Sequence, residues 1–281
     1  MRFWLGACTL FMLAALFGCQ GAQTLGGTPA PKTYRKIVSL SPGTTELILS
    51  FGQMDVVKGR TESCDFPESA KQIPIVASVK PNYEKLAAIK PDLVLYDATL
   101  TSEDDLEKVK QIGGVDVFGM EVHSLNEFID WLYRFGTKTG TETMISEYVD
   151  KLQVARERAI ATASKPAAKV AVLLGDPTSG YMIAGKNSFV ADIVRASGAE
   201  AVGPEDKIFV PMNVEALLAL DPDVIFTGGD AAKILQDPRL KTIKAVKNRK
   251  VARVNPDVLL RAGSRVDQLI RALFVFVQSG Q

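Results

Sequence analysis

The chain holds one histidine, His123, and that count removes several kinds of chemistry at once. A zinc site built on several imidazoles is excluded, and a Ser-His-Asp nucleophile would depend on this ring alone. His123 follows "VFGMEV", where a chain leaves a strand, so it reads as a loop or helix-entry residue, with a ligand role as the alternative. No Gly-x-x-x-x-Gly-Lys-(Ser/Thr) loop and no strand-linked Gly-x-Gly-x-x-Gly is present, so phosphate loops and dinucleotide sites lack their signatures. What remains is "SLSPGTTELI", Ser39 to Ile48, where an apolar run (Ile37, Val38) passes straight into a helical pattern (Leu47, Ile48, Leu49). Such a junction leaves free backbone N–H groups and a positive dipole end in the open. Ser41 suits the N-cap, Pro42 the first turn and Gly43 a close approach. Ser39 and Ser41 have no identifiable catalytic partner and the loop has no lysine, which leaves a helix start facing a cleft, touching a ligand or only water.

Binding chemistry is better represented. Asn82 to Leu95, "NYEKLAAIKPDLVL", aligns without gaps on Asn213 to Phe226, "NVEALLALDPDVIF". Each copy places a glutamate, Glu84 or Glu215, in the first turn of a helix capped by asparagine. There a carboxylate complements the dipole by about 0.3–1 kcal/mol. That explains each glutamate singly but not their recurrence. Two related lobes carrying them present a pair of separated anionic knobs, suited to a partner with two symmetric basic sockets.

The elements that position these residues follow from the apolar pattern. "KIVSL", "DLVLY" and "VDVFG" alternate with helices ending at Gly52 and at Gly113-Gly114, which is βαβ rhythm and a parallel sheet. A helix is predicted from Ser124 to Gly136, then one of about 24 residues from Thr141 to Ser164, free of Gly and Pro and ended by Lys165-Pro166. The rhythm restarts with "KVAVLL", a helix over Asn187 to Ala196, and "DVIFTG". The expected organisation is a signal segment over 1–19, a flexible Gly/Pro/Thr/Gln tether over 20–33, a first lobe over 34–140, an interlobe helix over 141–165 and a second lobe over 166–281. A cleft between the lobes is the expected ligand site.

Composition narrows the setting. With 47% hydrophobic and 23% charged residues the chain can bury a large core, and 33 basic against 32 acidic residues leave a net charge of +1 with no nucleic-acid track. Arg2 precedes the apolar run "FWLGACTLFMLAALFG", too short for a membrane span and typical of an export signal. Leu16-Phe17-Gly18-Cys19 resembles the bacterial lipobox, which implies cleavage before Cys19 and lipid on its sulfur; a plain cleaved signal with an incidental cysteine is the alternative. Leu5-Gly6-Ala7-Cys8 leaves no apolar core before it. With Cys8 removed and Cys19 lipidated, Cys64 alone remains and no internal disulfide forms.

"RKIVSLSPGTTELILSFG", "CDFPESAKQIP", "PNYEKLAAIKPDLVLYD", "GKNSFVADIVRASGAEAV", "VEALLALDPDVIF" and "AVKNRKVARVNPDVLLRAGSRV" together resemble the cobalamin-type periplasmic solute-binding proteins of ABC importers, a group that also carries haem and ferric siderophores. The resemblance runs from about Arg35 to Val277 in order and spacing. It implies two Rossmann-like α/β lobes with parallel-rich sheets, joined by one long helix, with little domain closure. Glu84 and Glu215 fall on the family's docking glutamates, which engage arginines of the two permease subunits. Asp257 and Arg261 match the Asp-x-x-x-Arg pair of cobalamin-binding relatives. Those relatives line the cleft with several tryptophans, whereas here Trp131 is the single one beyond the signal, on a predicted helix face that favours the core. Asp97 stands where one well-known type has an aromatic, and Phe209 precedes "VPMNVE". Phe66, Tyr83, Tyr181 and Phe209 are the candidate stacking rings, each equally readable as an ordinary half-buried aromatic. Cys64 and Asp65 would lie in the first lobe's cleft-facing loop, Cys64 as a small buried hydrophobe or a thiolate ligand, Asp65 as a contact or a turn cap.

The resemblance therefore implies an exported, lipid-anchored, monomeric binding protein with no cofactor of its own. Its partners would be an ABC permease dimer with its ATPase subunits, the membrane through Cys19, and a corrinoid or similar metal chelate. Haem or a ferric siderophore is the alternative cargo. An exported α/β enzyme or adhesion protein on the same fold is the alternative class.

Overall fold

The computed structural model describes residues 33–279, and these form one compact unit. The expected export signal with Cys19, and the expected tether up to residue 32, lie outside the described residues.

The first lobe runs β1 (Ile37–Ser39), α1 (Pro42–Ser50), β2 (Val57–Thr61), β3 (Ile75–Ala77), α2 (Tyr83–Ile89), β4 (Leu93–Asp97), α3 (Glu103–Lys110), β5 (Asp116–Met120) and α4 (Leu125–Thr139). All five strands pair in parallel, in the order β3-β2-β1-β4-β5. Strand order reverses between β1 and β4, and open α/β sheets bind ligands beyond the carboxyl ends of strands at such a point. After α5 (Glu142–Thr162) the second lobe runs β6 (Lys169–Asp176), β7 (Gly180–Ala184), α6 (Phe189–Ala196), β8 (Glu200–Ala201), β9 (Phe209–Met212), α7 (Val214–Leu220), β10 (Val224–Thr227), α8 (Ala231–Gln236), α9 (Lys244–Lys247), β11 (Val251–Arg253), α10 (Pro256–Leu259) and α11 (Val266–Gln278). Its sheet is mixed: β10 pairs β6 and β11 in parallel, while β7 runs antiparallel to both β6 and β9.

The sequence repeat is a repeat of local mechanics. In α2 and α7 the N-cap asparagine, Asn82 or Asn213, accepts from the N–H three residues on, worth about 1 kcal/mol each. Each helix is seven residues long and ends in a left-handed residue that is not glycine, Lys90 (φ 51°) or Asp221 (φ 40°). The aspartate that follows proline then clamps the first strand of its own sheet: Asp92 accepts from the Lys36 N–H and Asp223 from the Lys169 N–H. Their own N–H groups donate back to the carbonyls of Lys36 and Lys169.

The connecting helix comes out as 21 residues, and it is not a bare rod. It buries Ile145, Tyr148, Val149, Leu152, Ala155 and Ala159, a helical stripe, between α4 and α11. The α4 stripe is Leu125, Phe128, Trp131, Leu132 and Phe135, with Gly140 (φ 71°) ending the helix three residues beyond the predicted limit. One continuous core joins these faces to Ile37, Leu93 and Leu95 of the first sheet and Val170, Val172, Val224 and Phe226 of the second. Each fully buried side chain of this size contributes about 1.5–3 kcal/mol. Moving one lobe against the other would expose that shared core, so the two lobes are welded.

Candidate functional site

A cavity of about 420 Å³ opens between the lobes. The first lobe supplies Ser41 to Gly43 after β1, Asp97 to Leu100 after β4, and Met120 to His123 after β5. Lobe two supplies the start of α6, the run into β9, and the segment from Pro256 to Ala262. The switch point between β1 and β4 therefore forms one wall, as the strand order requires.

Four residues singled out from sequence meet here: Asp97, Phe209, Asp257 and Arg261. His123, read as a loop or helix-entry residue, also lines the cavity. Its position is set by the start of α4: Ser124 accepts from the Glu127 N–H, and the Glu127 carboxylate reaches back to the His123 N–H. The imidazole Nε2 lies 3.5 Å from Glu121 Oε1.

Arg261 is the electrostatic centre of the floor. It donates to Asp65 and Asp257, both at 2.7 Å, and to the Ser63 carbonyl at 3.1 Å, with its side chain 11% exposed. The hydrogen bond from Arg261 holds the Asp65 carboxyl below its ordinary value of 3.8. Because the folded value is depressed, this contribution is complete above the ordinary value and is lost as pH falls through the lower folded one. Asp65 thus ties the first lobe to the second and keeps its charge at neutral pH.

Four residues further on, Arg265 makes a second interlobe clasp. Its guanidinium forks onto Glu46 at 2.9 and 2.6 Å and lies 3.9 Å over the Phe66 ring. Ser264 bonds both Ser50 and Glu46, and the Tyr148 hydroxyl donates to the Gly263 carbonyl while accepting from the Val266 N–H. Gly263 is required there, since a Cβ would sit 2.8 Å from the Glu46 carboxylate.

Other candidates lie elsewhere. Tyr181 is buried in the second lobe's core with its hydroxyl donating to Asp237, so it is not a stacking surface. Phe66 serves Arg265, and Tyr83 bonds Asp105 on α3. Cys64 is buried between the hydroxyls of Thr45 and Thr61, at 2.9 and 3.0 Å, which removes it as a ligand to cargo metal in this geometry. Trp131 is a core residue whose Nε1–H donates to the Gly119 carbonyl, directly behind cavity-lining Met120. Ser41 occupies the N-cap of α1 by backbone geometry, but its hydroxyl makes no capping bond. The aliphatics Leu100, Ile208 and Leu260 were missed; they line the mouth and are exposed, which is the signal an isolated sequence cannot carry.

Glu84 and Glu215 are both exposed, each the second residue of its helix. Helices α2 and α7 each precede a strand parallel to the one before it, so each begins at the carboxyl edge of its sheet. The two carboxylates hold equivalent places in the two lobes.

A family model for periplasmic binding proteins matches residues 37–258. YvrC of Bacillus subtilis strain 168, an ABC transporter substrate-binding lipoprotein, is 28% identical over 250 residues, covering 86% of this chain and 79% of that one. The high-affinity heme uptake system protein IsdE of Staphylococcus aureus strain Newman is 25% identical over 216 residues, covering 75% and 71%. The solved periplasmic vitamin B12 binding protein BtuF of Vibrio cholerae shares the fold, with a TM-score of 0.76 at 20% identity over 88% of this chain and 98% of that one.

Proposed function

The chain belongs to the periplasmic binding protein family, and on that premise we propose that it is a lipid-anchored protein that captures a corrinoid in its interlobe cleft and delivers it to an ABC permease. It is a substrate-binding component of an ABC importer, a binding protein and not an enzyme. The corrinoid reading rests above all on the Asp65-Arg261-Asp257 arrangement. Arg261 gives three of its five N–H donors to two carboxylates and a carbonyl; both carboxylates are about half exposed, at 46% each, and of the two Asp257 lines the cavity. That floor accepts hydrogen bonds and carries one net negative charge, which suits the carboxamides that fringe a corrin ring. Lys207 is the lining cation without an ion pair among the described residues, and a single such charge is little for a polyanionic ferric siderophore. Exposed Leu100, Ile208 and Leu260 at the mouth supply apolar contact for the flat face in place of tryptophans.

A second reading, haem, is favoured by one observation: the chain's only imidazole lines the same cavity, and IsdE is named for heme uptake. The two separate cleanly. Purified residues 32–281, titrated with cyanocobalamin, haemin and a ferric siderophore, are expected to bind the corrinoid with micromolar or better affinity, read from absorbance and from quenching of Trp131. For haem, a Soret shift that His123→Ala abolishes would replace the corrinoid reading. No response to any chelate would overturn both.

A further inference from the structure

Building on the cargo cleft above, we propose that the start of α1 is a receptor for an oxyanion on the edge of the cargo, a carboxylate or a phosphodiester. Ser41, Pro42 and Gly43 line the cavity. Ser41 is 1% exposed, and its hydroxyl has no hydrogen-bond partner among the described residues, although it stands at the N-cap. A serine there ordinarily accepts from the second or third N–H of its helix, as Ser188 does for α6 on the opposite wall.

The orientation is imposed from behind. The Ser41 carbonyl accepts from the Thr45 N–H at 3.0 Å and from one of the Ser39 and Thr44 hydroxyls, which stand 3.1 and 3.2 Å from it. Ser39 and Thr44 are bonded to each other at 2.8 Å, and Thr45 to Ser39 at 2.7 Å. This buried hydroxyl cluster pins the peptide. The N–H groups of Gly43 and Thr44, both in buried residues, have no acceptor among the described residues, and Pro42 has no N–H to offer. Orphaned buried N–H groups are rare because each forfeits a hydrogen bond to water. Two N–H groups, one hydroxyl and the positive end of a nine-residue helix then converge on the cavity, the donor set that holds an oxyanion. The nearest acid one turn on, Glu46, is neutralised by Arg265. Asp97 on the adjoining wall directs one oxygen to the Thr99 N–H and hydroxyl.

Corrinoids carry a phosphodiester in the nucleotide loop and haem carries two propionates, so the test uses matched pairs. Ser41→Asp supplies a carboxylate that caps α1 itself and repels an incoming oxyanion, so the thermal midpoint holds or rises while cargo affinity falls. Binding of the oxyanion-bearing member, cyanocobalamin or haemin, is expected to weaken about tenfold, and that of dicyanocobinamide or haemin dimethyl ester to stay unchanged. Ser41→Ala is expected to lose about fivefold on the same members alone. The pair that responds identifies the source. Equal losses within a pair, or none, overturn the proposal while leaving the cargo reading standing. Independently, inorganic phosphate should shift the Gly43 and Thr44 amide resonances of the parent saturably and those of Ser41→Asp not at all. If no chelate binds, the cargo reading falls and this titration alone decides; flat resonances in the parent overturn the oxyanion site.

Discussion

Replacing Glu84 and Glu215 together by alanine is expected to abolish uptake into cells while leaving the purified protein's affinity for its cargo unchanged. Both carboxylates are exposed, and neither lines the cavity. The fold loses only the complement of two helix dipoles, about 0.3–1 kcal/mol each, because the asparagine caps remain. A permease that grips the protein through two basic sockets loses both anchors. Each single variant should slow uptake less than the pair does. Uptake of labelled cargo by cells expressing each variant, beside the dissociation constant of the purified protein, measures both halves; normal uptake by the double variant would remove the docking role.

Arg265→Ala should produce the largest loss of stability. Glu46 is 1% exposed at its side chain, and its carboxylate is held by the forked guanidinium and by Ser264. Removing one member of a buried pair leaves an uncompensated charge and costs about 3–5 kcal/mol. For a chain of this size that lowers the melting temperature by roughly 6–20 °C. The packing of Arg265 on Phe66 is lost as well. If the penalty is the stranded charge, Glu46→Leu with Arg265→Met should recover most of the stability lost by Arg265→Ala. Urea denaturation of the three proteins decides it, and a loss below 1 kcal/mol for Arg265→Ala would mean that Glu46 finds another partner.

The clasp also explains how binding couples to rigidity. Arg261 and Arg265 both leave the second lobe and land on the first, at Asp65 and at Glu46, and the segment between them forms part of the cavity floor. Cargo thus meets a surface already fixed by the shared core and two interlobe ion pairs. Little reorganisation is left to oppose binding.

Legibility in the sequence followed the range of the forces involved. The βαβ rhythm, the long helix, the seven-residue α2 and α7 and their caps are written in neighbouring residues, because hydrogen bonds within three or four positions and apolar periodicity set them. Strand β2, "VKGRT", escaped the pattern. Its Gly59 reads as a breaker, yet a Cβ there would lie 2.7 Å from a Val76 methyl, and buried Arg60 donates to the carbonyls of Thr61, Glu62 and Lys71 while its Nε has no partner among the described residues. Val76 belongs to another strand and Lys71 to a later turn, so no local rule names them.

The sequence by itself determined two α/β halves, a paired glutamate and an unusual strand-to-helix turn at Ser39 to Ile48. Tertiary structure alone decided which side chains share the cleft. It brought His123 to the wall, buried Tyr181 and Cys64, and paired Arg261 with a carboxylate 196 positions away. It also left the Ser41 hydroxyl uncapping, on a residue that lines the cavity. The reason is physical: a cap or a helix stripe is chosen by residues a few positions apart, whereas a cleft between lobes is chosen by the packing of surfaces whose sequence separation carries no information about their distance.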